Sequence, residues 1–316
     1  MGAIMPGSAS MVAVDWGSSR FRAYLLAADG TALAQTDNDY GIFKVKQGGF
    51  AGVLYDACGS WLERAPELPV FMFGMVGSRE GWVETDYLKC PATVDDLGKH
   101  LVRVPDLQDH PAFIVPGLSC DGPAFTDVMR GEETQVLGTE AAAGGDLVCL
   151  PGTHSKWVRY DGAAIRDFAT FLTGELFASI RHAASVRAII RHEDFAADAF
   201  EEGLRVSKKP GGLTHHVFSI RSRLLTQESL CGAHASYLSG LLIGAEIGAG
   251  LALCPVKRGV RLVGSRSLLR QYEQAFALFD IPTWCVTSEQ ASIQGLWKLA
   301  VSSGQCIPTG TKKNVR

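Results

Sequence analysis

The chain has 316 residues, a formal net charge of -3, 47% hydrophobic and 20% charged residues. It is therefore long enough for two domains with cores of their own and has the composition of a soluble globular protein. The slight acidic excess leaves no electrostatic footprint for nucleic acid or an anionic membrane, so small-molecule chemistry is the expectation. Residues 1–10 lack the basic region and apolar core of a secretory signal, and Pro6 breaks the myristoylation pattern that Met1-Gly2 would open. Cys58, Cys90, Cys120, Cys149, Cys231, Cys254, Cys285 and Cys306 show no paired spacing. That excludes the usual zinc patterns and points to free thiols in a reducing cytoplasm.

In chain order, Met11 to Val14 reads as a strand ending in the turn Asp15-Trp16-Gly17-Ser18-Ser19-Arg20. A second strand from Phe21 to Leu26 leads through Asp29-Gly30, a hairpin signal, into a third. Residues 49–64 carry helical spacing at Phe50, Val53, Leu54, Ala57 and Trp61, closed by Pro66 and Pro69. The buried strand Val70 to Phe73 then runs into Gly74-Met75-Val76-Gly77-Ser78, followed by Arg79 and Trp82. Ligands of open α/β sheets lie at such carboxyl ends, so this is either a substrate loop or a plain strand exit. After a loop-rich region holding the strand Ala112 to Val115 and the stretch from Asp127, Glu132 to Ala143 reads as a helix closed by Gly144-Gly145. Its opening acids are either ordinary capping acids, favoured there by the helix dipole, or a carboxylate able to take a proton from a substrate hydroxyl.

The opening unit then recurs. Leu147 to Leu150 leads to Pro151-Gly152-Thr153-His154-Ser155, a strand from Lys156 to Tyr160, and the turn Asp161-Gly162. Helices are expected over 173–182, 194–204, 213–225 and 232–251. The apolar run Leu238 to Cys254, interrupted by Glu246, is taken as too short to cross a bilayer and as a buried helix. Its small residues, among them Gly240, Gly244 and Gly250, would permit close helix packing. A strand Val260 to Val263 ends in Gly264-Ser265-Arg266-Ser267 and a helix to Phe279, a place for a base, ribose or phosphate. The strand Thr283 to Val286 and a helix from Ser288 to Val301 complete the chain. The duplication places one domain at 1–138 and a second at 139–301, with a polar tail over 302–316 expected to be disordered.

A glycine turn lets backbone N–H groups approach an anion, and neighbouring hydroxyls add donors. Either turn alone is an ordinary hairpin loop; at matching places in two halves, the pair reads as a holder of nucleotide phosphates.

These residues resemble the actin-like superfamily of hexokinase, glycerol kinase and the heat-shock ATPases, α/β proteins with duplicated domains and ATP in the cleft. Within it the chain is similar to the 2-dehydro-3-deoxygalactonokinase family. The similarity runs through Val14 to Ser19 with Arg22, Gly74 to Ser78, Asp127 to Leu137, Pro151 to Val158, Leu172 to Leu176 and Ser239 to Glu246. Departures are Ser18-Ser19-Arg20 where Ser-Thr-Asn is expected, Asp127 where an amide is accepted, and Arg79 in place of an amide.

The resemblance implies ATP-dependent phosphorylation of the C6 hydroxyl of 2-dehydro-3-deoxy-D-galactonate. Asp15 would organise Mg²⁺ through water. Gly17, Ser18, Ser19, Gly152, Thr153 and His154 would donate to the phosphates, with positive charge from Arg22 or Lys156, and Gly264 and Ser265 would meet the nucleotide. Glu133 or Glu132 is expected as general base, with Asp127 third, and Gly77, Ser78, Trp82 and Phe43 as lining of the sugar-acid pocket. The expected partners are ATP and the sugar acid, with no nucleic acid and no membrane, and a homodimer is also considered. Other readings are a kinase of another sugar or sugar acid, a phosphatase on the same fold, and a non-catalytic actin-like sensor.

Overall fold

The computed structural model describes residues 9–306 except 66, 106, 108–109, 123–124, 141–145, 184–194, 227–232 and 257. The chain forms two compact units, neither continuous in sequence. Unit 1 gathers 1–143, 160–167 and 288–316, and unit 2 gathers 144–159 and 168–287. Of the tail expected to be disordered, 307–316 lie outside the described residues, as do Cys231 and the Gly144-Gly145 stop.

Unit 1 opens with β1 (Ala9–Trp16), β2 (Phe21–Ala27) and β3 (Ala32–Asn38). Helix α1 (Phe50–Leu62) and β4 (Val70–Phe73) follow. The region read as loop-rich contains more order than its composition suggested: β5 (Tyr87–Lys89), β6 (Ala92–Thr93), α2 (Val94–Lys99) and β7 (Val102–Arg103) precede β8 (Ala112–Ile114), β9 (Gly117–Asp121) and β10 (Thr126–Met129). These segments are too short for periodicity to register. Helix α3 (Glu132–Leu137) is shorter than the expected 132–143. Its end is set by tertiary contact, since the Lys298 ammonium donates to the carbonyls of Leu137 (2.8 Å) and Thr139 (3.4 Å).

Unit 2 carries β11 (Asp146–Leu150), β12 (Ser155–Tyr160) and the later part of β13 (Ala164–Phe171), whose first residues, Ala164 and Ile165, pair with β6 inside unit 1. Helices α4 (Thr173–His182), α5 (Ala197–Ser207), α6 (Gly212–Leu225) and α7 (His234–Leu253) follow, then β14 (Val260–Gly264), α8 (Arg266–Ala277) and β15 (Thr283–Thr287). Helix α9 (Ser288–Ser302) returns to unit 1, where it packs on α3.

Strand order displays the duplication. Unit 1 reads β3-β2-β1-β4-β8, with β7 beyond, and unit 2 reads β13-β12-β11-β14-β15. In unit 2 the third, second, first, fourth and fifth strands lie side by side, and unit 1 repeats the pattern with β8 in the fifth place. In unit 1 β1 is antiparallel to β2 and parallel to β4, and in unit 2 β14 is parallel to both β11 and β15. Both Asp-Gly hairpins form as expected. Gly30 and Gly162 adopt φ of 82° and 89°, and the preceding aspartates accept from backbone N–H groups of Thr31 and of Ala163 and Ala164.

The unit 1 core is centred on Trp16, buried among Phe21, Phe50 and Trp82. Unit 2 is built on α7. This helix has 20 residues, so the length argument against a membrane span fails; 61% of its most apolar window is buried inside the protein. It crosses α5 so closely that a β-carbon on Gly240 would lie 2.0 Å from the Phe200 carbonyl oxygen. Burial of such apolar faces is worth about 25 cal/mol per Å², which is why a helix apolar on nearly all sides belongs in a core.

Candidate active site

In unit 1 the parallel strands β1 and β4 end together, with Asp15 opposite Phe73 in register. The chain turns at Gly17–Arg20, closed by Gly17 N–H to the Arg20 carbonyl at 2.9 Å. Ser19 and Arg20 are exposed and Ser18 is half-buried. The segment after β3 docks on this turn by its backbone: Ile42 N–H donates to the Gly17 carbonyl and Phe43 N–H to that of Ser18. Gly41 lets it approach, since a β-carbon there would stand 2.3 Å from Ser18 O and the Ser19 backbone.

Gly74 turns out of β4 at φ 95°, and Gly131, at φ 110°, rests on it at the start of α3. Asp15, the Gly74 turn and the opening of α3 are thus brought to one edge of the sheet. Asp15 is largely buried, its Oδ2 3.3 Å from Arg22 Nη1; burial pushes its carboxyl above the ordinary range and Arg22 offsets this in part. Among the described residues no cluster of three or more His, Cys, Asp or Glu could hold a metal. A lone carboxylate fits Mg²⁺ that arrives on nucleotide phosphates and keeps most of its water, rather than an ion caged by protein.

The two glutamates part company. Glu133 is wholly buried: Oε2 accepts from Gly131 N–H (2.7 Å) and Oε1 from the Thr134 hydroxyl (3.2 Å). Burial first, and the Glu132 charge second, push its carboxyl up to about 8. Glu132 is only half-buried and accepts from Arg130 N–H at 3.1 Å. Asp127 lies on β10, buried, with its Oδ1 on Val128 N–H. Gly77 and Ser78 are buried, and the Ser78 hydroxyl donates to the Met75 carbonyl at 2.7 Å. Trp82 stacks on Phe50 in the aromatic core at 6.0 Å, whereas Phe43 is exposed.

In unit 2 the matching turn, Gly152 to His154, lies between β11 and β12, with Thr153 and His154 exposed. The N-terminus of α4 seats on it. Glu175 N–H donates to the Thr153 carbonyl, the His154 ring pairs with the Glu175 carboxylate, and a β-carbon on Gly174 would lie 2.4 Å from Gly152 O. Lys156 is buried in β12 with its ammonium on the Thr170 hydroxyl at 2.9 Å. Gly264 ends β14 buried, and the exposed Ser265 caps α8, accepting from Leu268 N–H. A cavity of about 300 Å³ adjoins the turn, lined by Gly152, Thr173, Phe177, Arg181, Gln271 and Tyr272 among others. Sequence reading missed this cavity. Its walls come from α4, α7 and α8, and nothing local marks them as neighbours.

The duplicated five-strand order with a glycine-hydroxyl turn after the first strand of each unit defines an actin/hexokinase-like α/β protein. At the level of fold, the activator of 2-hydroxyisocaproyl-CoA dehydratase from Clostridium difficile, solved with ADPNP, superimposes with a TM-score of 0.52 at 12% identity over 94% of this chain and 96% of that one. Residues 15–299 match the 2-keto-3-deoxy-galactonokinase family model, and the chain belongs to that family. It is 38% identical over 290 residues to a protein of Rhizobium meliloti named probable 2-dehydro-3-deoxygalactonokinase, covering 90% of this chain and 94% of the relative. The 2-dehydro-3-deoxygalactonokinase of Escherichia coli is 33% identical over 293 residues, 93% of this chain and 98% of the relative. A solved Sinorhizobium meliloti structure assigned to the same activity superimposes with a TM-score of 0.85 at 35% identity, covering 92% and 98% of the two chains.

Proposed function

We propose that this protein transfers the γ-phosphoryl group of Mg·ATP to the C6 hydroxyl of 2-dehydro-3-deoxy-D-galactonate. The observation that carries the reading is the family match over residues 15–299, which takes in both turns and the Glu132-Glu133 segment. Such transfers depend on positioning and on neutralising phosphate charge more than on covalent chemistry. In this reading the exposed Thr153 and His154, beside Gly152, donate to the nucleotide phosphates, and the adjoining cavity takes the base. Ser18 and the exposed Ser19, next to Gly17, offer hydroxyl donors to the phosphoryl group, and Asp15 orients the water around the Mg²⁺ that ATP brings. Phe43 and the Gly77–Ser78 loop stand on the acceptor side.

For the general base we favour Glu132. A base must come within hydrogen-bonding reach of the hydroxyl it deprotonates, and of the two glutamates Glu132 is the one with exposed surface. Glu133, raised to about 8, is mostly protonated at neutral pH and serves the turn at Gly131.

The test is ADP release coupled to a dehydrogenase readout, with Mg·ATP against aldonates, 2-dehydro-3-deoxyaldonates and neutral hexoses. Turnover centred on 2-dehydro-3-deoxygalactonate is expected. Preference for another acceptor, or ADP release without one, would overturn the substrate assignment, and tight ATP binding with no turnover would indicate a sensor.

A further inference from the structure

Glu246 lies on α7, 3% exposed, in a helix made from Leu238 onward of otherwise apolar and small residues. A carboxylate in such a place costs several kcal/mol unless its oxygens are bonded, and here the bonding is extensive. Trp157 Nε1 donates to Oε1 at 2.9 Å and the Tyr272 hydroxyl donates to Oε2 at 2.7 Å. The hydroxyls of Thr173 and Ser155 stand close enough to favour its ionised form. These four residues belong to β12, α4 and α8, the elements that surround the turn at Gly152–His154.

The connection to the turn is direct. Ser155 Oγ lies 3.3 Å from the Tyr272 hydroxyl and 3.5 Å from Gly152 N, which donates to it. Thr173 precedes Gly174 and Glu175, the residues that press on Gly152 and bond to Thr153. Thr173, Tyr272 and Gly152 all line the adjoining cavity. A carboxylate is an acceptor only, so both of its oxygens take donors at once; no neutral side chain of similar size does so.

We infer that Glu246 is a positioning residue for nucleotide binding: from beneath the sheet it fixes the Gly152–Thr153 backbone and the start of α4 in the conformation that receives ATP phosphates. This rests on the proposed reading of that turn as a phosphate site. Glu246 touches no substrate; it acts through Tyr272 and Ser155, with Thr173 beside it.

The test compares Glu246→Gln, Ser155→Ala and Thr153→Ala in the full-length enzyme. Steady-state kinetics would vary ATP and sugar acid separately, and the Trp157 indole N–H would be followed by NMR during ADP titration. Gln keeps the size but presents an amide N–H to groups that are donors themselves. Expected are a rise of about tenfold in KM for ATP, the size of one lost charge-assisted hydrogen bond, with KM for the sugar acid within twofold of wild type. In the wild-type protein the Trp157 signal should move as ADP binds, and in Glu246→Gln that response should be lost. An unchanged KM for ATP in folded Glu246→Gln, or equal rises for both substrates, overturns the inference. If Glu246→Gln does not fold, Ser155→Ala decides, because it interrupts the same relay: no change in KM for ATP would overturn the proposal. An ATP KM untouched by Thr153→Ala, with turnover on the sugar acid intact, would instead show that the turn is not the phosphate site.

Discussion

Replacing Glu133 by Gln tests the electrostatics of the α3 opening most sharply. The Glu133 carboxyl is raised from the ordinary 4.5 to about 8, with burial the leading cause. Between those values the unfolded chain carries the group ionised and the folded protein holds it protonated. The stability it contributes is therefore fully present below about 4.5 and is lost as pH rises through about 8. Each pH unit in that window is worth about 1.4 kcal/mol, so the whole span amounts to roughly 5 kcal/mol as an upper bound. Gln is neutral throughout and can still accept from Gly131 N–H. The stability of Glu133→Gln relative to wild type should accordingly climb by about 1.4 kcal/mol per pH unit from pH 5 to 8 and then level off. Urea denaturation at half-unit pH steps measures this, and the difference between the two proteins cancels every other titrating group. Parallel stability curves across that range would show that Glu133 titrates as an ordinary carboxylate and that its burial has no electrostatic cost.

Further expectations concern the turns and the reacting groups. Gly41→Ala forces a β-carbon against the Ser18–Ser19 backbone; displacement of that turn should lower kcat at least tenfold while costing about 1–3 kcal/mol of stability, and a fully active variant would remove the turn from catalysis. Gly174→Ala does the same to the Gly152 carbonyl and should raise KM for ATP with little effect on that for the sugar acid, as isothermal titration with ADP would also register. Asp15→Asn should cut turnover on the order of a hundredfold, as loss of a preorganised electrostatic group does; undiminished Mg²⁺-dependent activity would contradict its role. Glu132→Gln should slow single-turnover phosphoryl transfer by about a hundredfold or more; a full rate there, beside a slow Glu133→Gln, would reverse the assignment of the base.

Much of the architecture was legible in the sequence because it is written locally. Alternation of apolar residues, a glycine at the turn and an Asp-Gly pair ten residues on specify strand, turn, strand and hairpin wherever they occur, and the recurrence of that unit announced the duplication. The glycine turns and the buried Gly-rich helix could be read on the same grounds. Short strands such as β5, β6 and β7 could not, because two or three residues carry no period.

What the tertiary structure alone decided is which distant residues share a place. Residues 160–167 and 288–316 cluster with unit 1 although they follow the second turn in sequence. Glu132 and Glu133 are chemically identical neighbours, yet successive helix positions face different surroundings, so one is half-exposed and the other sealed and raised to about 8. Glu246 looked like an interruption in an apolar run until Trp157, Tyr272, Thr173 and Ser155 arrived around it from three other elements. The sequence determines local conformation through short-range sterics and hydrogen bonding. Burial, and with it the charge state and partners of each carboxylate, is a property of the packed chain.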